Sequence, residues 1–165
     1  MRNSGYTLVE LVIVMCLLML LIGITVGNRG TSKIGACSAV YTLHSVCNYM
    51  HMRARATNQT HILSFDIEHN TYCYNGMREQ LPSGVVFGVL DRACGPPSSP
   101  VRPITHPITA ENQCITFTPH GIIQPGAIYI KTTDNSCMYA LSVSVAQASF
   151  VRMYEYRHGT WILLT

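Results

Sequence analysis

Charge is scarce in this chain: 11 Lys and Arg and 8 Asp and Glu are spread over 165 residues, and from Leu11 to Val26 there is none. The formal net charge of +3 counts Arg2, so the remainder is only mildly basic and lacks the field that marks a nucleic-acid protein. Internal repeats are lacking too. A small-x-small cleavage site is missing after the apolar run, where Gly27, Asn28 and Arg29 follow, and this argues against an ordinary secretory signal. Ser, His and acidic residues fall in no recognised catalytic arrangement, which argues against an enzyme, and no cofactor is expected. The histidines lack metal-ligand spacing. His44 and His51 share roughly one helix face, where surface or capping roles are expected.

What is present is apolar material, 48% of the residues, enough for one globular head with a real core. The uncharged run Leu11–Val26, extended by Tyr6, Thr7 and Leu8, is long enough as a helix to cross roughly 30 Å of hydrocarbon. Glu10 stands out there, because an isolated carboxylate near a bilayer costs several kcal/mol unless a partner is supplied. The plainer reading of Glu10 is an acid in the first turn of a helix, stabilised by the helix dipole. Gly27, Asn28 and Gly30 interrupt the run and are expected to bend or melt the helix there.

Beyond them Ala36, Val40, Leu43, Cys47, Met50 and Ala54 recur at three- and four-residue steps, which predicts an amphipathic helix ending near Asn58. Arg53 and Arg55 then complement its C-terminus. Period-two alternation takes over: Leu63, Phe65 and Ile67 alternate with Ile62, Ser64 and Asp66, and a turn at 68–70 leads to Tyr72-Cys73-Tyr74, a hairpin signal. Further strands are expected at 85–90, 115–118, 127–131, 138–145, 150–156 and 161–164. The five prolines between Asp91 and Ala110 predict a surface loop.

Seven cysteines are many for this length. Cys16 lies in the apolar run, while Cys37, Cys47, Cys73, Cys94, Cys114 and Cys137 lie beyond it, and wide, irregular spacing favours disulfides in an oxidising compartment over zinc. Cys37 and Cys47 are excluded as a pair, since ten helical residues separate them by about 15 Å. Cys94 is a candidate tether for the proline-rich loop. A DNA-binding patch would draw on Lys131, Arg152 and Arg157, with Tyr154, Tyr156 and Trp161 alongside. Ordinary sheet alternation with solvated charges accounts for these residues more simply, because Arg is sparse and Glu155 interrupts the cluster.

The residues Gly5-Tyr6-Thr7-Leu8-Val9-Glu10-Leu11-Val12-Ile13-Val14 closely resemble the prepilin signal of type IV pilins and type II secretion pseudopilins. That resemblance implies cleavage after Gly5 by a prepilin peptidase and N-methylation of the new N-terminus, Tyr6. It also implies insertion in inner-membrane lipid and assembly with other pilins or pseudopilins. Physically, cleavage creates an α-amine that a neighbouring Glu10 carboxylate can pair with in a low-dielectric filament core, which favours one axial register.

Head motifs resemble the GspH/FimT branch of minor pilins and pseudopilins. They are the Arg-Ala-rich turn from Met52 to Leu63, then Leu81-Pro82-Ser83-Gly84-Val85, then Ile115-Thr116-Phe117-Thr118-Pro119-His120-Gly121 followed by Gly126-Ala127-Ile128-Tyr129-Ile130. The chain departs from that branch after Ser142-Val143-Ser144, where a Gly-Arg-x-Arg element is common and only Arg152 stands here. Some members bind DNA through that element, so its loss weighs against DNA as a partner.

The resemblance implies an α+β pilin fold, with a long N-terminal transmembrane/amphipathic α-helix packed on a C-terminal antiparallel β-sheet head. The expected divisions are a leader at 1–5, a transmembrane/assembly helix at 6–27, its amphipathic half at 28–58 and a β-rich head at 59–165. The implied role is a structural, initiating or adaptor subunit of a type IV pilus or type II secretion system, single-pass in the bacterial inner membrane with its head in the periplasm. The alternatives are a DNA-binding minor pilin for natural transformation and a monomeric signal-anchored periplasmic protein.

Overall fold

The computed structural model describes residues 8–95, 102–143 and 150–164, the side chains of 21–31 apart. Gly5 and Tyr6 lie outside the described residues. The chain divides into two compact units, Met1–Thr31 and Ser32–Thr165.

Helix α1 spans Leu8–Thr57. Helical backbone continues through 27–30, so the helix does not melt at Gly27, Asn28 and Gly30. Within the second unit, Ala36, Val40, Leu43, Cys47, Met50 and Ala54 are all completely buried, one stripe of the helix turned onto the core. The helix stops where Asn58 takes a left-handed conformation (φ 53°), and Gln59 N–H reaches back to Ala54 O at 3.3 Å. Asn tolerates this φ, which closes the last turn in a Schellman-type cap.

Among the described residues nine strands follow: β1 (His61–Asp66), β2 (Thr71–Tyr74), β3 (Met77–Gln80), β4 (Val85–Phe87), β5 (Cys114–Phe117), β6 (Gly126–Thr132), β7 (Met138–Val143), β8 (Val151–Arg157) and β9 (Thr160–Leu163). A single 3-10 turn at Glu111–Gln113 precedes β5. The strands form two sheets, in the orders β3-β2-β1-β5 and β4-β6-β7-β8-β9. Every pairing is antiparallel.

Alternation assigns the faces. Leu63, Phe65, Ile115 and Phe117 of the first sheet and Ile128, Ile130, Leu141 and Met153 of the second join the buried stripe of α1 in one core. The opposite face of the second sheet carries a smaller cluster of Ala127, Tyr129 and Ala140, covered by Val89, Ile104, Tyr154 and Trp161. There Trp161 Nε1–H donates to the carbonyls of Cys94 and Gly95 at 3.0 and 2.8 Å. The indole, and not the Cys94 thiol, therefore ties this loop to the sheet.

The expected fold needs correcting. The second unit is mostly β, with nine strands in two antiparallel sheets and not a helix laid on one sheet. The reason is long-range pairing: β1 recruits β5 while β4 pairs with β6, so sequential strands are dealt into separate sheets. The transmembrane helix is corrected as well, because no helix among the described residues is long and apolar enough to cross a membrane. A single-pass inner-membrane location therefore has no support.

Candidate functional site

Two features stand apart from ordinary packing: the start of α1 and a set of partly buried carboxylates in the second unit. From Leu8 to Leu20 every side chain is exposed, and the large apolar ones range from 49% for Val12 and Leu18 to 80% for Leu8. Consecutive residues cover every side of a helix, so this part of α1 is apolar all round, whereas a helix with that composition is normally buried. Glu10 lies in the first turn, where free backbone N–H groups favour a carboxylate.

The first carboxylate in the second unit is Glu79 on β3. Register sets it opposite Tyr72 on β2, and the hydroxyls of Tyr72 and Tyr74 both donate to it, at 2.6 and 2.7 Å. The two rings stack 6.1 Å apart. These donors, Tyr72 first, hold the Glu79 carboxyl below its ordinary range, while burial and the bond to Glu79 push Tyr72 up. Beside them Ser38, Ala39 and Thr42 of α1 and Gln80, Leu81 and Pro82 line a small cleft of about 190 Å³. An ionised carboxylate at the rim suits it to a cationic group.

The second carboxylate, Glu155 on β8, is only 4% exposed. Arg157 Nη2 lies 2.6 Å from it and Lys33 Nζ 4.0 Å. A buried carboxylate needs such compensation. The bond to Glu155 also raises the Arg157 guanidinium above its ordinary value.

The three basic residues considered for DNA are not brought together. Arg152 and Arg157 lie five positions apart on β8, an odd separation, so they point to opposite faces. Arg157 is engaged by Glu155, and Arg152 sits over the Phe150 ring at 4.4 Å. Lys131 shares the Arg152 face but lies in the row of Met138 and Tyr156, about 13 Å along the strand direction from Arg152. Its stem crosses Gly88, where a Cβ would meet Lys131 Cε at 2.7 Å.

The expected disulfides are corrected: Cys37, Cys47, Cys73, Cys94, Cys114 and Cys137 are all free thiols, as is Cys16. Geometry explains part of this. Ser64 pairs with Cys73 on one side and Cys114 on the other, which sets those residues two strands, about 9.5 Å, apart, beyond disulfide reach. Cys47 is buried in the core and its thiol is pushed up to about 12 by desolvation, which makes it inert.

The histidines act locally. His44 Nε2–H donates to Val151 O and His51 Nε2–H to Gly121 O, both at 3.2 Å, so they fasten α1 to the β strands and turns. No group of three metal-ligating side chains occurs among the described residues. No protein-family model, curated protein or solved structure matches the chain.

Proposed function

We propose that this chain is a pilin-like filament subunit, a minor pilin or pseudopilin of a type IV pilus or type II secretion apparatus, that assembles through the start of α1. The observation that supports this reading is the stretch Leu8–Leu20, apolar on every side and exposed throughout. Burying such side chains against like helices gains roughly 1.5–3 kcal/mol for each Leu, Ile, Val or Met fully covered. A bundle of identical helices can cover all sides at once. Glu10 in the first turn, preceded by the prepilin-like Gly5-Tyr6 junction, supplies what such a bundle otherwise lacks, a polar group that sets the axial register against a neighbour's α-amine.

The test is Glu10→Val in a strain that also makes the native filament subunits. The variant should accumulate with a normally folded head yet be lost from sheared filaments, and undiminished incorporation would overturn the register argument. The intact mass should correspond to a chain beginning at methylated Tyr6, whereas cleavage after Thr25 or Gly27 would show a secretory signal instead. The basic residues, divided between two sheet faces, give DNA binding no comparable support.

A further inference from the structure

Four strands form the sheet edges, and three of them are guarded. On β3, Arg78 and Glu79 place charge on the edge. Along β5 the following turn covers the edge, through a Phe117–Ile123 bridge and Gln124 N–H to Thr116 O at 2.9 Å. The edge strand β4 is only three residues long. These are the usual devices against edge-to-edge pairing. Strand β9, Thr-Trp-Ile-Leu, carries no charge and no proline, no described residue pairs with its outer side, and Ile162 and Leu163 are 43% and 53% exposed.

Its free hydrogen-bonding groups can be assigned. Leu164 N–H donates to Met153 O at 2.8 Å. In the β8–β9 register of Tyr154↔Leu163 and Glu155↔Ile162, this makes Thr160, Ile162 and Leu164 the residues bonded to β8. The N–H and C=O groups of Trp161 and Leu163 therefore point outward. The hairpin is fixed by His158 (φ 49°) and Gly159 (φ 81°), the two positive φ values of a type I′ turn, so the outward set is not free to slip by one residue.

We infer that β9 is the docking edge for β9 of a second copy of this chain, paired antiparallel about a two-fold axis at Ile162. In this register Trp161 faces Leu163 of the second copy and Leu163 faces its Trp161. On the order of four backbone hydrogen bonds then satisfy every outward group of the strand. The strand is self-complementary: Ile162 meets Ile162 and Thr160 meets Leu164, with no like charges opposed, which an edge carrying Arg78 or Glu79 would not achieve. A contact of one patch with itself closes at two copies. It joins heads in pairs and is independent of growth through α1.

The experiment uses the full chain carrying Ile162→Cys under mild oxidation, with cross-linked peptides mapped by mass spectrometry. Opposed residues at the axis have Cα atoms about 4.5 Å apart, within disulfide reach, so a bridge between residues 162 of two copies should form at least about tenfold more than between residues 160 in Thr160→Cys, which lie about 13 Å apart. Adding Leu163→Pro removes an outward N–H while leaving the β8 ladder intact, and the 162–162 yield should fall about tenfold with two interchain hydrogen bonds lost. Glu10→Val should leave it unchanged. Equal yields for Ile162→Cys and Thr160→Cys, insensitivity to Leu163→Pro, or cross-linking only to a different protein would each overturn the pairing.

Discussion

Leu17 and Leu43 lie on the same helix and are the same residue, yet one is 55% exposed and the other completely buried. Cys16 and Cys47 repeat the contrast, exposed against fully buried. Helix propensity is no different at these places. What differs is that the later stripe has two sheets to pack on within its own unit, whereas the earlier stretch has apolar residues on every side and is left exposed. In the second unit apolar burial contributes to folding, and in the first the described apolar side chains of 8–20 stay exposed. On the proposed filament role, the same kind of side chain serves stability in one region and assembly in the other.

The sharpest way to break that comparison is thiol reactivity. Burial pushes the Cys47 thiol up to about 12 from an ordinary 9.0, which suppresses its reactive thiolate in addition to blocking access. A thiol-reactive probe should label Cys16 and Cys94 of the dispersed chain rapidly and Cys47 only on unfolding. Assembly should protect Cys16 and leave Cys94 reactive. Equal rates for Cys16 and Cys47 would erase the contrast, and fewer than seven thiols in the denatured, unreduced chain would reinstate a disulfide.

Next in size is a matched pair of truncations. Leu43→Ala opens a cavity among α1 and both sheets and should cost about 2–5 kcal/mol in urea unfolding of the head. Leu17→Ala should change the same unfolding free energy by less than about 0.5 kcal/mol while weakening incorporation into filaments. A large loss of head stability from Leu17→Ala would show that the two regions do not divide the work in this way.

Much of this contrast is legible in the sequence. The step pattern from Ala36 to Ala54 picks out six positions that are all completely buried, because helical periodicity is local. Strand alternation is local as well, and Leu63 and Phe65 face the core as their period demands. The division into two sheets is not local. It depends on β1 meeting β5 across about fifty residues, which no spacing in either segment announces.

Strand β3 was missed although Asn75-Gly76 signals it: both residues have positive φ, the type I′ hairpin preference. With β3 went Glu79 and the tyrosines that bind it. That Arg152 and Arg157 are not brought together is something the sequence does carry, since positions 152 and 157 cannot share a sheet face. The disulfides failed because partners depend on where strands lie, as Ser64 between Cys73 and Cys114 shows.

The smallest effect expected concerns the polar counterpart of these apolar contrasts. The Tyr72 and Tyr74 hydroxyls favour the ionised form of Glu79 and depress its folded-state pKa below the ordinary 4.5. A depressed carboxyl contributes stability above its unfolded pKa and loses it as pH falls through the folded value. Removing both donors with Tyr72→Phe and Tyr74→Phe should therefore flatten part of the decline in urea midpoint between pH 7 and about pH 3. Asp66, on the opposite face of the same sheet, is depressed chiefly by the His69 backbone N–H, with His69 and Arg78 side chains adding to it. Its contribution should survive the double substitution. If the acid decline were unchanged in the double variant, the tyrosines would be packing residues that only happen to reach Glu79. If it flattened, the carboxylate at the cleft beside α1 would stay ionised at lower pH than an ordinary glutamate, available there to a cationic group.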